Sequence, residues 1–262
     1  MPELPEVETV RASLEKYIGK KIIKVDVIYS KMILSPLDEF IDKVTNTTIS
    51  SVTRKGKYLF INLDNSYTII SHLRMEGKYV YKDVKEQDSK HVKVNFIFDD
   101  STKLSYEDTR CFGIMILSKT SEIYNVKEIK KLGPEPFEIE SSKYLYDIFK
   151  TKNIEIKSCL LDQSIMCGLG NIYCDEVLFK AKINPYKKAS LLSEEDSYIN
   201  GGMVLCNLVA WRSFDFEHKA MERLKDTTHN LNYDQGILNE LCKGKVLVLS
   251  PKYNALAETF EF

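Results

Sequence analysis

The stretch PELPEVETV (residues 2–10) begins the first structural element and raises the first functional question. Pro5 suits the first turn of a helix, and the glutamates around it suit the positive end of the helix dipole. Apolar side chains then recur at helical spacing at Val7, Val10, Leu14, Tyr17 and Ile18. The pattern predicts an amphipathic helix. It leaves Pro2 and Glu3 without a structural role.

Beyond this helix the sequence is typical of antiparallel β-structure. Seven short runs are rich in β-branched and aromatic residues and are separated by turn signals such as LDNS and DDS. They are KIIKVDVIY, TISSV, KYLFINL, YTIISHL, HVKVNFIF, KLSYE and GIMIL. We predict an α+β protein whose first domain, residues 1–132, is the N-terminal helix plus an antiparallel β-sandwich.

The segment LGPEPFEIESS (residues 132–142) interrupts this pattern with two prolines and a glycine. We place a hinge at residues 133–141. The sequence downstream is helical in texture, with KYLYDIFK, IKSCLL and NIYCDEVLFKA. It predicts a mainly helical second domain over residues 142–200, followed by a tail over residues 201–262.

Composition indicates a globular protein without a membrane segment or a disulfide framework. Hydrophobic residues make up 44% of the 262 residues, and no apolar run approaches the roughly 18 needed to span a bilayer. The acidic N-terminus lacks the apolar stretch of a signal peptide, so we expect a cytoplasmic protein. The six cysteines form no C-x-x-C pair, which favours reduced thiols over a metal site.

The charge is divided unevenly along the chain. Residues 1–193 hold 30 Lys and Arg against 27 Asp and Glu, whereas residues 194–262 hold 7 against 11. We therefore expect any site for a polyanion in the first part.

Pro2 has a chemical use if Met1 is removed. Its secondary amine would keep a useful neutral fraction at pH 7, because α-amino groups titrate near pH 8. Such an amine can attack a carbonyl-like carbon and form an iminium, as lysine does in Schiff-base enzymes. Glu3 is then the adjacent proton donor or acceptor, and Glu6 is a neighbour that orients it.

Six stretches together resemble one family, the formamidopyrimidine-DNA glycosylases, which excise 8-oxoguanine and ring-opened purines. They are PELPEVETV (2–10), RKGKYL (54–59), SHLRMEGKY (71–79), LSYEDTRCFG (104–113), LGPEP (132–136) and LLDQSIMCGLGNIYCDEVLFKAKINP (160–185). The resemblance runs nearly continuously from Pro2 to about Ser193. It implies that the second domain is a helix-two-turn-helix domain.

The resemblance implies a catalytic set. Pro2 would attack C1′ of the damaged nucleotide, and Glu3 would protonate the opening sugar. Lys57 matches the family's second catalytic amine, placed on a β-hairpin. The iminium would drive successive β and δ eliminations that cut out the sugar.

The resemblance also implies contacts to duplex DNA. Met75, Arg110 and Phe112 match the residues that fill the void left by the flipped base, and Arg110 would bond to the opposite cytosine. Gly168 and Gly170 would allow close backbone approach at the turn, and the following helix N-terminus would offer amides to a phosphate. Other phosphate contacts fall to Asn171, Lys157 and His72.

The tail departs from the family pattern. The family ends in a zinc ribbon with two C-x-x-C pairs, but Cys242 is the only cysteine in the corresponding region, so four cysteine ligands cannot be assembled. We therefore expect no zinc and no other cofactor. Either Lys245–Leu249 and Ala255–Phe260 form a zincless hairpin, or the tail is unrelated to the family.

These observations predict a base-excision glycosylase and abasic-site lyase that acts on oxidised purines in duplex DNA. We expect a monomeric, nucleoid-associated protein of bacterial type. One alternative is a lyase or lesion-binding protein with weak base excision, because the family's capping loop lies in the replaced region. A second alternative is a non-enzymatic binding module that retains the fold.

Overall fold

The computed structural model describes residues 2–139 and 141–193. The predicted tail over residues 201–262, with its candidate hairpin, lies outside the described residues. No helix within the described part is long and apolar enough to cross a bilayer.

The described chain contains one helix, then mostly strands, then mostly helices. The α-helices are α1 (Leu4–Leu14), α2 (Leu37–Val44), α3 (Lys127–Lys130), α4 (Ser142–Phe149), α5 (Ile156–Leu161) and α6 (Asn171–Lys180). The strands are β1 (Lys21–Val27), β2 (Thr47–Lys55), β3 (Tyr58–Leu63), β4 (Tyr67–His72), β5 (Lys78–Asp83), β6 (Val92–Phe98), β7 (Thr102–Glu107) and β8 (Ile114–Lys119). This order confirms the predicted α+β fold class.

All eight strands form one antiparallel sheet in the order β5-β7-β6-β1-β2-β3-β4-β8. The sheet is weakest at its centre, where β1 and β2 share only the pairs Lys21↔Thr48 and Ile22↔Thr47. The halves on either side of this junction contribute to one core, in which Phe96 and Phe98 join Leu59 and Ile69. The sheet therefore folds over itself as a sandwich.

Helix α1 closes one side of this core through Val7 and Leu14, as its apolar spacing predicts. The same spacing does not bury Ile18, which follows the helix and is exposed. The outer face of β3, β4 and β8 carries a second cluster, including Phe60 and Ile70, against α3 and the preceding 3₁₀ turn. Strand β3 is consequently buried on both faces.

Helices α4, α5 and α6 share a separate core around Phe149, Ile156 and Leu178. Between α5 and α6, residues 162–170 make the turns that carry the glycines. These turns pack against the beginning of α1, and so the two domains meet at the N-terminus.

Candidate active site

Glu3 is buried at the joint between the domains. Its carboxylate accepts hydrogen bonds from the backbone amides of Gly170 (2.8 Å), Ile172 (2.8 Å) and Tyr173 (3.1 Å). These amides lie at the N-terminus of α6, where backbone donors have no partner within the helix and the dipole favours an anion. Glu3 is therefore fixed in place by the second domain.

This contact corrects one expectation. The sequence predicts that the amides at this helix N-terminus bind a DNA phosphate, but those of Gly170, Ile172 and Tyr173 donate to the side chain of Glu3 instead. The Gly170 amide is buried and donates to it. A Cβ at Gly170 would lie 2.4 Å from Glu3 Oε1, so the missing side chain serves this contact.

The backbone next to Pro2 is anchored as well. The Leu4 amide donates to the Gly168 carbonyl at 3.0 Å. Gly168 has φ +105°, which side chains disfavour, and a Cβ there would lie 2.4 Å from Leu4 Cδ1. Pro2 itself is half-buried just before these contacts. The hydrogen bonds of Glu3 and Leu4 therefore hold the backbone next to Pro2, the expected nucleophile, in place.

Glu6 connects the start of α1 to α6. It accepts a hydrogen bond from the Glu3 amide at 2.8 Å and one from the Tyr173 hydroxyl at 3.2 Å. Burial, reinforced by the charge of Glu6, raises the pKa of Tyr173 to about 12. The hydroxyl therefore remains a donor to Glu6 at neutral pH. The role of Glu6 in orienting Glu3 during the reaction stays a prediction.

Lys57 lies on the β2–β3 hairpin, next to the same turn before α6 that Glu3 contacts. Its side chain is buried, and Nζ donates to the Leu169 carbonyl at 2.6 Å. Burial lowers the pKa of Lys57, while the carboxylates of Glu3 and Glu6 oppose that shift. A lowered pKa increases the neutral fraction of the amine, which suits it to proton transfer.

An ion-pair network that the sequence does not reveal holds this hairpin. Arg54 lies between Glu8 (2.7 Å) and Glu135 (2.6 Å), and Glu135 also accepts from the Gly56 amide at 2.6 Å. Lys55 pairs with Glu138 at 2.7 Å. Both Glu135 and Glu138 belong to the predicted hinge, so the hinge holds the hairpin that carries Lys57.

The residues expected to fill the void left by the flipped base, here called the wedge residues, lie on two neighbouring loops. These wedge loops are residues 73–77 and 109–113. Met75, Arg110 and Phe112 are all exposed, and the Arg110 guanidinium lies 4.8 Å from the centre of the Phe112 ring. A hydrogen bond from Thr109 to Glu76 joins the loops. Large exposed apolar side chains beside an arginine suit insertion into a base stack.

Two buried side chains accept hydrogen bonds from the backbone amides of these loops. Asp108 accepts from the amides of Arg110 (2.9 Å) and Gly113 (2.8 Å). His72 accepts from the Arg74 amide through Nδ1 at 3.0 Å. Asp108 was missed by sequence analysis, although an aspartate two residues before a loop arginine is a known turn signal.

His72 is more enclosed than a surface phosphate ligand. Burial, reinforced by Arg74 and Lys57, lowers the pKa of His72 to about 3, and the imidazole is therefore neutral at pH 7. A phosphate contact from this ring stays a prediction. In the structure its shown role is to support the Arg74 turn.

The other expected phosphate ligands lie near the surface of the second domain. Lys157 Nζ pairs with Asp175 at 2.6 Å, which raises the pKa of Lys157. Asn171 is exposed at the first turn of α6. Their contacts to DNA stay predictions, and Lys157 would have to exchange Asp175 for a phosphate.

Comparison with known proteins gives these features a family. Residues 1–115 match the family model of the formamidopyrimidine-DNA glycosylase N-terminal domain, and residues 132–200 match that of the formamidopyrimidine-DNA glycosylase H2TH domain. A third family model, glycosyl transferase family 8, matches residues 174–261. That match covers about a third of the chain, and most of it lies outside the described residues.

Individual relatives agree with the first two matches. The chain is 48% identical to the formamidopyrimidine-DNA glycosylase of Ligilactobacillus salivarius over 202 residues, which cover 75% of this chain and 72% of the relative. Identity to the Bacillus cereus enzyme is 46% over 200 residues, with the same coverage.

Solved structures of the Lactococcus lactis enzyme share the fold. One is in complex with DNA containing N7-benzyl-Fapy-dG, with a TM-score of 0.72, 40% identity and coverage of 76% of this chain and 74% of that one. Another, bound non-covalently to DNA with an abasic site, has the same TM-score and identity and covers 75% of this chain and 76% of that one. The chain belongs to the formamidopyrimidine-DNA glycosylase family.

Proposed function

We propose that this chain is a base-excision repair enzyme, a DNA glycosylase and abasic-site lyase that acts on oxidised purines such as 8-oxoguanine and formamidopyrimidines in duplex DNA. The observation that carries the proposal is that Lys57 donates to Leu169 while Glu3, which follows Pro2, accepts from Gly170, so that these groups lie at adjoining residues of the turn before α6. Structures of the Lactococcus lactis relative with Fapy-dG DNA and with abasic-site DNA support the substrate class.

The proposed chemistry uses the N-terminal amine that removal of Met1 exposes. A bond forms between the Pro2 nitrogen and C1′ while the bond from C1′ to the base breaks, and the base leaves with the bonding electron pair and a proton. The Pro2 nitrogen gives its proton to the departing base, and its lone pair then forms the C1′=N bond of the iminium while the C1′–O4′ bond breaks. Glu3, in its protonated form, donates a proton to O4′. Lys57, in its neutral form, accepts a proton during the eliminations that follow.

The anchoring contacts suit this assignment. Glu3 and Leu4 tie the N-terminus to the second domain through three hydrogen bonds from backbone amides to the Glu3 carboxylate and one backbone hydrogen bond from Leu4 to Gly168. Holding a nucleophile and proton-transfer groups in one geometry supplies much of the catalytic effect of an enzyme. The exposed loops with Met75 and Phe112 supply the wedge that base flipping needs.

A second candidate is a lyase or lesion-binding protein with weak base excision. It is favoured by the family matches, because the glycosylase models end at residue 200 while a model of a different family covers residues 174–261. The segment that closes over the flipped base in the family would fall there. A non-enzymatic module is the third candidate.

Borohydride trapping separates these candidates, because reduction converts the iminium into a stable adduct. The untagged protein, with loss of Met1 verified by mass, is incubated with one duplex carrying 8-oxoguanine opposite cytosine and another carrying an abasic site. Adducts on both support the proposal. An adduct on the abasic duplex alone supports the second candidate, and no adduct on either supports the third.

Pro2→Gly should lower the adduct yield if the N-terminal secondary amine is the nucleophile, because the primary amine of glycine is a weaker nucleophile. Pro5→Ala is the matched control, since it changes another proline of the same stretch without touching the N-terminus. An adduct of full yield in Pro2→Gly would contradict the assignment of the nucleophile.

We also propose that the protein works without a metal cofactor, as a monomer, on nucleoid DNA in a bacterial cytoplasm. The donor set supports the first point, because only Cys242 lies where the family has four zinc-binding cysteines. The bacterial source of the relatives supports the cellular setting.

A further inference from the structure

The two wedge loops are separated by a tyrosine that no catalytic or DNA-binding role explains. Tyr106 is the last residue but one of β7 and is fully buried. Its ring lies beneath both loops, since the hydroxyl oxygen is close to Gly77 in one and to Gly113 in the other. Met75 precedes the first glycine by two residues, and Phe112 directly precedes the second.

The contact is tight on both sides. A Cβ at Gly77 would lie 2.0 Å from the Tyr106 hydroxyl oxygen, and a Cβ at Gly113 would lie 1.9 Å from it. The oxygen thus occupies the space that a side chain at either glycine would need. Each loop can approach the other only as far as this oxygen permits.

A buried tyrosine hydroxyl usually forms a hydrogen bond, but that of Tyr106 forms none with the described residues. Among the described residues, Tyr106 Oη is the one buried side-chain polar atom without a hydrogen-bond partner. Burying an unpaired hydroxyl costs stability, so phenylalanine would be the more stable residue here. The neighbouring Tyr79, whose ring centre is 5.2 Å away, does have a partner in Ser71.

We propose that Tyr106 is a positioning residue whose hydroxyl sets the separation of the two wedge loops, and with it the placement of Met75, Arg110 and Phe112 against the DNA. This role rests on the proposed function, in which those residues displace the base. It predicts that the hydroxyl matters for excision of an intact base and matters little at an abasic site, where no base has to be flipped out.

Tyr106→Phe tests this role because it removes one atom and keeps the ring. We expect its single-turnover excision of 8-oxoguanine to fall by about tenfold, since small displacements of positioning groups have effects of this size. Cleavage of a ready-made abasic site should stay within about twofold of wild type. The melting temperature should not fall. A residue that only supports folding would give the opposite pattern, with no loss of excision.

Tyr79→Phe is the matched control. It deletes a hydroxyl from the adjacent ring, but that hydroxyl bonds to Ser71 and not to the loops. We expect excision at the wild-type rate. Equal losses of excision in both variants would overturn the proposal.

Gly113→Ala probes the same contact from the loop. The new methyl group would collide with the Tyr106 oxygen, so excision should fall as well. Combining it with Tyr106→Phe should partly restore the rate, because the nearest remaining ring atom is then Cζ at 2.8 Å. Losses that simply multiply would show that the two positions act independently.

Hydrogen exchange of the DNA-free protein tests the positioning role of Tyr106 without a measurement of enzymatic activity. Tyr106→Phe should accelerate exchange in residues 73–77 and 109–113, and Tyr79→Phe should not. If wild-type protein forms no adduct with either duplex, the proposed function fails, but this measurement still applies. Unchanged exchange at both loops, together with unchanged excision in active protein, overturns the proposal.

Discussion

At the scale of single residues, Lys57 shows a conflict between stability and function. Burial lowers its pKa, so keeping the amine charged inside the folded protein costs stability at neutral pH, and the cost declines as the pH rises through the folded-state pKa. The Leu169 carbonyl that it contacts also accepts from Gln163 at 2.9 Å, so that carbonyl keeps a partner without Lys57.

We therefore expect Lys57→Met to increase the free energy of unfolding by about 1 kcal/mol while it lowers strand cleavage by about 100-fold or more. Thermal unfolding and cleavage of an abasic duplex measure the two effects. Lys57→Arg is the control that keeps a charge. A Lys57→Met protein less stable than wild type would contradict the argument.

His72 predicts an acid-sensitive stability. Its pKa is about 3 in the folded protein, against an ordinary value of 6.5, so between these values the unfolded chain binds more protons. Stability contributed by the neutral ring is complete above about pH 6.5 and is lost as the pH falls towards 3, by up to about 1.4 kcal/mol per pH unit.

His72→Asn should reduce this pH dependence, because an asparagine side chain can accept from the amide two residues on without titrating. Thermal unfolding between pH 7 and 4.5 compares the two proteins. Parallel loss of stability in both would assign the acid sensitivity to other groups. Activity near neutral pH should show no ionisation from His72.

At the scale of elements, the turn before α6 positions the start of α1. Gly168→Ala should destabilise the protein for two reasons, a positive φ and a Cβ only 2.4 Å from Leu4 Cδ1. Gly19→Ala is the matched control, because Gly19 has φ +86° with nothing within 4 Å.

We expect Gly168→Ala to cost about 1–3 kcal/mol more than Gly19→Ala, since only the former overpacks a contact. The adduct yield in borohydride trapping should fall only in Gly168→Ala, because Leu4 lies two residues from Pro2. Equal effects in unfolding and trapping would mean that backbone strain alone matters at both glycines.

The elements that periodicity predicts are those with one clear apolar face. Helix α1 and the seven apolar runs were found in this way. Strand β5 was missed because it lies at the sheet edge with every residue at least partly exposed, which weakens its alternation. Helix α2 was missed as well, although its buried residues Phe40 and Val44 lie four positions apart, a spacing typical of one helix face.

The sequence allowed the residues of the site to be named, but it did not allow their contacts to be predicted. Pro2, Glu3 and Lys57 could be named from their chemistry and from the family resemblance. That Glu3 would bind the α6 amides could not, because its partners lie 167 to 170 residues away and no local pattern encodes such a distance. The same holds for Arg54 with Glu135.

At the scale of the whole molecule, we predict that the protein cleaves DNA without a bound zinc ion. The family's zinc ribbon would require four cysteines that the tail does not supply, so a chelator should leave cleavage of an abasic duplex unchanged, and purified protein should contain no stoichiometric zinc. Elemental analysis and cleavage before and after EDTA treatment test this. Loss of cleavage that zinc restores would contradict the proposal of a metal-free enzyme.

The contact between Glu3 and the amides of α6 also sets an order of events during synthesis. Glu3 leaves the ribosome early, but Gly170, Ile172 and Tyr173 follow only after on the order of 10–30 s of translation. Throughout that interval the nascent chain can have a free amine at Pro2 but no second domain to hold it in place. An incomplete chain, or one released early, therefore lacks a positioned nucleophile, and the potential to cut DNA arises only when the second domain has been made.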